Sequence, residues 1–115
     1  MLLSATCIVQ ASNFFPIRHV IVNKTKDIIA YNFHFLGDAS CDSTGYLQVG
    51  HMKQMNCKSG KIFTPGTYVL DYQQLYFLKQ QKVRCSGSKT YKVDKHRKLY
   101  ILKASNHCQL DVIEN

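Results

Sequence analysis

Five histidines, His19, His34, His51, His96 and His107, are the residues of this chain best suited to moving protons near neutral pH. Two of them with a lysine on the same face would make the acid–base pair of a small secreted ribonuclease working on a phosphodiester. Their spacing supports no such frame: there is no H-x-H, no H-E-x-x-H and no histidine beside a nucleophile in a recognised motif. A metal site from His34, His51 or His107 with a carboxylate would have to be assembled by the fold alone, because no ligand spacing announces it. The one glutamate, Glu114, leaves little material for paired-carboxylate chemistry. No catalytic residue, metal ligand or cofactor is therefore expected, and the histidines read as strand and surface residues. His34 falls on the less buried face of a strand and His96 in a turn.

Charge is the more informative feature. The 115 residues carry 15 Lys and Arg against 7 Asp and Glu, a net charge of +8. Residues 79–103 hold nine of the cations (Lys79, Lys82, Arg84, Lys89, Lys92, Lys95, Arg97, Lys98, Lys103) and a single acid, Asp94, so the other residues balance. Lys82, Arg84, Lys89, Lys92, Lys95, Arg97 and Lys98 are the candidate anion-binding set, with Lys82, Arg84 and Lys92 expected to face outward. Tyr91 and Tyr100 in the same segment would supply stackable rings, a combination that suits phosphate or sulfate backbones and single-stranded nucleic acid. The competing reading is that lysines on an edge strand deter sheet-to-sheet aggregation while the tyrosines face the core. On the anion-binding reading the partner is a glycan, nucleic acid, an acidic protein surface or lipid headgroups. No RNA-recognition, helix-turn-helix or zinc-finger signature supports sequence-specific nucleic-acid reading.

The cysteines speak to compartment. Residues 1–11 (MLLSATCIVQA) are uncharged, largely apolar and end in a small-x-small pattern at Val9-Gln10-Ala11, which reads as the tail of a secretory signal with Met1 as an internal start. Removing them removes Cys7 and leaves four cysteines, Cys41, Cys57, Cys85 and Cys108. No C-x-x-C pair occurs, so zinc-ribbon ligation is excluded and two disulfides are expected in a secreted or periplasmic protein. Strand parity turns Cys85 and Cys108 inward, while Cys41 sits in a loop and Cys57 ends the strand pair that follows it, so Cys41–Cys57 and Cys85–Cys108 are favoured among the three possible pairings. No stretch is long enough for a transmembrane span.

These side chains must be positioned by strands, because period-two alternation recurs throughout and no helical stripe does. Strands are expected over 17–22, over 29–35 with Ile29, Tyr31, Phe33 and Phe35 on one face, over 46–49, 52–57 and 61–63, and over 67–72 with Tyr68, Leu70 and Tyr72 on one face. Residues 75–85 are expected to form one long bent strand or two, and further strands are expected over 89–93, paired in a hairpin with 98–103, and over 108–113. Residues 23–27, 37–45 and 86–88 read as turns or loops. Asn23-Lys24-Thr25 is a glycosylation sequon in the first of these, of use only in a eukaryotic secretory route. Thr64-Pro65-Gly66 is a turn, and the run Pro65-Gly66-Thr67-Tyr68-Val69-Leu70 resembles the turn-plus-strand of immunoglobulin-like and related β-sandwich domains. A resemblance of six residues bears on fold and carries no functional residue across.

The expected fold is a small all-β antiparallel β-sandwich, immunoglobulin-like or related, of about eight strands and two disulfides, occupying residues 12–115 as one domain. The expected function is that of a small secreted, basic binding module, effector- or adhesin-like, acting through its positive face. A secreted hydrolase such as a ribonuclease and a structural envelope protein are the alternatives.

Overall fold

The structure is a computed structural model and describes residues 17–77, 82–95 and 99–115. The expected signal remnant 1–11 with Cys7, and Lys79, His96, Arg97 and Lys98, lie outside the described residues. Eight strands form, β1 (Arg18–Lys24), β2 (Ile28–Phe35), β3 (Ser43–Leu47), β4 (Met52–Gln54), β5 (Gly66–Phe77), β6 (Lys82–Val93), β7 (Leu99–Ser105) and β8 (Gln109–Glu114), with three short 3-10 turns among the described residues.

Two four-stranded sheets, ordered β4-β1-β7-β8 and β3-β2-β5-β6, make a β-sandwich. All pairings are antiparallel except β1 with β7, which run parallel from Arg18↔Leu99 to Lys24↔Ser105. Alternation decides which face each strand buries. Ile29, Tyr31, Phe33 and Phe35 of β2 line up with Gln74, Tyr72, Leu70 and Tyr68 of β5, and Tyr68 in turn with Tyr91 of β6. From the other sheet, His19, Ile21, Tyr100, Leu102, Ala104 and Leu110 close on them, all buried. Phe35 and Tyr68 stack with centroids 4.3 Å apart, a packing worth about 1 kcal/mol beyond the area it buries. The Tyr68 hydroxyl donates to the Thr64 carbonyl four residues upstream (2.6 Å), the back-bond of a tyrosine corner, and so anchors the Pro65-Gly66 turn to its strand.

Both disulfides form as parity favoured, Cys41–Cys57 and Cys85–Cys108. Each joins one sheet to the other: the first links the turn after β2 to the segment after β4, the second links β6 to the turn before β8. The two sheets are therefore tied together covalently at two places, and Cys41 is itself buried in the core.

Several expectations are corrected. Residues 86–88 are the middle of β6 rather than a turn, and their glycine serves close approach. A Cβ on Gly87 would sit 2.5 Å from the Cys108 carbonyl oxygen, so only glycine lets the turn Asn106–Cys108 lie against this strand. The stretch 75–85 takes the two-strand form of its expectation, as the end of β5 and the start of β6. The hairpin between 89–93 and 98–103 does not form: β6 pairs with β5, while β7 lies in the opposite sheet between β1 and β8. Period two fixes the buried face of a strand but not the sheet that receives it. Residues 61–63 form no strand, and Phe63 reaches the core from a loop.

The sequon is corrected too. Asn23 is the buried end of β1 rather than an exposed turn residue. Its Nδ2 donates to the Asp27 and Leu47 carbonyls (both 2.9 Å), and its Oδ1 accepts the Thr25 N–H (2.9 Å), which leaves no room for a glycan on Nδ2. Asn23→Ala strands these backbone groups, and a loss of about 2–3 kcal/mol is expected in urea denaturation; a loss below about 0.5 kcal/mol would show that the network contributes little.

Candidate anion-binding edge

β6 is an edge strand, hydrogen-bonded to β5 on one side only. Tyr91 and Val93 point into the core and Ser88, Thr90 and Lys92 alternate outward; Lys89, on the face of Tyr91, is exposed as well, as is Lys95 beyond the strand. Across β5, Lys92 faces Thr67 and Lys89 faces Leu70. Among the described residues no ion pair engages Lys89, Lys92 or Lys95. Three exposed cations thus lie within seven residues at one end of an edge, with Asp94 the one acid among them.

The rest of the candidate set is placed differently. Lys82 is exposed but begins β6, opposite Phe77. At about 3.3 Å per residue it lies roughly 23 Å from Lys89, too far to share a small ligand. Arg84 is engaged elsewhere: its Nε donates to Asp27 Oδ2 (2.9 Å) and its guanidinium sits 3.6 Å over the Tyr76 ring. Gln74 Nε2 donates to the same Asp27 oxygen (3.1 Å), making a half-buried junction of β5, β6 and the β1–β2 turn. The expected stackable rings are overturned. Tyr91 and Tyr100 are buried, because the alternation that sends Lys92 outward sends Tyr91 inward.

The histidines do not converge. His19 is fully buried among Phe33, Phe63, Tyr68, Tyr91 and Tyr100, with ring centroids 4.3–5.8 Å away. Its Nδ1 lies 2.7 Å from the Tyr91 hydroxyl, and its Nε2 has no hydrogen-bond partner among the described residues. Burial with no carboxylate in contact pushes its pKa down to about 3, so the ring is neutral at pH 7. The same burial raises the Tyr91 phenol and pushes Tyr72 up to about 12. His34 lies on the outer face of its sheet, with Nδ1 3.4 Å from Asp42 and Nε2 4.0 Å from Asp71. Asp71 also accepts the Ser88 hydroxyl, so that serine is bonded to the carboxylate and not to the imidazole. His51 and His107 are exposed in separate turns. Neither of two open grooves, of about 430 Å³ beside Met55 and Phe63 and about 340 Å³ over Asn32 and Gln73, is lined by a histidine among the described residues. No group of three His, Cys, Asp or Glu among them is placed to hold a metal.

Two features carry little local signal in the sequence. The parity shared by Ile17, His19 and Ile21 would have placed His19 inside, but nothing local names its five ring neighbours. The Asp27–Arg84 pair joins residues 57 apart and has no local signal at all. No helix among the described residues is long and apolar enough to cross a membrane. No known protein family matches the chain, and no curated protein matches it either.

Proposed function

We propose that this protein is a secreted or periplasmic binding module that meets an anionic partner through the Lys89, Lys92 and Lys95 end of β6. The observation that carries the proposal is three exposed cations, none in an ion pair among the described residues, on a strand edge that no described strand covers, while Arg84 is paired with Asp27 and Lys82 stands apart. Two disulfides support an oxidising compartment, since such bonds persist outside the reducing cytosol. Among the described residues His19 is enclosed by rings and His34 is flanked by carboxylates rather than by a second imidazole and a lysine, which favours the binding reading over the hydrolase alternative.

Retention on a polyglutamate resin tests the proposal. Wild-type protein is expected to elute at a salt concentration that falls markedly in a Lys89→Gln, Lys92→Gln, Lys95→Gln triple variant and is unchanged in a Lys53→Gln, Lys58→Gln control. Equal elution of the two variants would overturn it.

A further inference from the structure

We propose that the anionic partner is an acidic, extended peptide segment that adds to β6 as a further strand over residues 88–93, with its carboxylates spaced to meet Lys89 and Lys92. The inference rests on the reading of the basic edge given above and specifies the chemistry of its partner.

The first support is the backbone. β6 lies at the end of its sheet, so half of its N–H and C=O groups face away from β5. Toward the start of the strand that edge is covered: Cys85 is bonded to Cys108, and Gly87 lies against the Cys108 carbonyl. Beyond Gly87, no backbone hydrogen bond outside the sheet ladders involves residues 88–93 among the described residues. A row of alternating donors and acceptors is matched in full by another extended backbone, and poorly by a sugar ring or a phosphate chain, which offer no such alternation.

The second support is the charge pattern. Every side chain from Ser88 to Val93 is a hydroxyl, a lysine or a buried core residue, and no acid occurs between Lys82 and Val93. Against a second copy of β6 these lysines repel, which blocks the self-pairing an open edge invites. Against an acidic strand the same lysines attract, so one device excludes the wrong partner and selects the right one.

The third support is register. Lys89 and Lys92 are three residues apart and therefore project to opposite faces of the sheet, Lys92 with Ser88 and Thr90, and Lys89 with Tyr91. An added strand that satisfies both needs acids three residues apart, because acids two apart would crowd one face and leave one lysine unmatched.

The test uses the intact, disulfide-bonded protein and a ten-residue Thr/Val peptide with two glutamates three residues apart. Four analogues accompany it: one with the glutamates two apart, one with glutamine in their place, and two N-methylated at alternate peptide bonds, on the odd or on the even positions. The parent peptide is expected to bind at least tenfold more tightly than the glutamine and two-apart analogues. One N-methylated series should lose binding at least tenfold and the other should retain it, because only one edge of an added strand faces β6. Amide exchange should slow at residues 88–93. If both N-methylated peptides bind like the parent, strand addition is wrong; the basic-edge reading then still stands provided the Lys89, Lys92, Lys95 triple variant loses the parent peptide. If that variant binds the parent peptide as wild type does, both readings fail.

Discussion

Reducing both disulfides should cost this fold about 6 kcal/mol. The bridges close loops of 16 and 23 residues. Releasing each loop returns about 3 kcal/mol of chain entropy to the unfolded state. A domain of this size has about 5–15 kcal/mol of stability in total, so the reduced protein should melt more than about 15 °C lower or be unfolded at room temperature. Thermal melts with and without reductant and thiol alkylation read this directly. Of the two bridges, Cys85–Cys108 should matter more. The Cys108 N–H donates to Gln74 Oε1 (2.8 Å), and the same fully buried glutamine donates to Asp27, so loosening this corner also loosens the Arg84 ion pair. A Cys41→Ala, Cys57→Ala variant that loses more stability than Cys85→Ala, Cys108→Ala would contradict that ranking.

The second large effect is acid sensitivity through His19. In the unfolded chain this ring titrates near pH 6.5, whereas in the folded protein burial holds its pKa at about 3. Above pH 6.5 neither state takes the proton and His19 adds no pH dependence. Below pH 6.5 the unfolded state binds a proton that the folded state refuses, so stability falls by about 1.4 kcal/mol per pH unit down to pH 3. By pH 4.5, still above the range of most carboxylates, the loss from this residue is about 3 kcal/mol. The rings of Phe33, Phe63, Tyr68, Tyr91 and Tyr100 surround it, and none offers a negative charge at these pH values. His19→Phe removes the titrating group, so its plot of unfolding free energy against pH should be flatter than wild type between pH 6.5 and 4.5. All other ionisable groups are common to both proteins. Parallel plots would show that His19 is protonated in the folded state.

Much of the architecture was legible because it depends on alternation alone. The inward faces of β2 and β5, and the pairing of Cys85 with Cys108, follow from which residues share a side of a strand. What alternation cannot encode is the neighbour across the sandwich. Residues 89–93 and 98–103 looked like a hairpin because polar residues separate them in the sequence, yet β6 and β7 belong to different sheets. Gly87 looked like a turn residue because serines flank it, yet it is held extended so that a second backbone can approach. The site was half legible for the same reason. Clustering of charge in the sequence located β6, but it could not show that Asp27, 57 residues away, would neutralise Arg84 while Lys89 and Lys92 stayed open. Nor could it show that Tyr91, one residue from Lys92, would be buried.

The most direct test of the functional account is a titration of isotope-labelled protein with hexaglutamate, followed by backbone amide chemical shifts. The account predicts that the largest perturbations fall on Lys89, Lys92 and Lys95 and on their cross-strand neighbours Thr67 and Leu70, and that they shrink as salt is raised. Perturbations centred instead on Arg18, Lys24 and Lys103 of the opposite sheet, or none at saturating peptide, would contradict it.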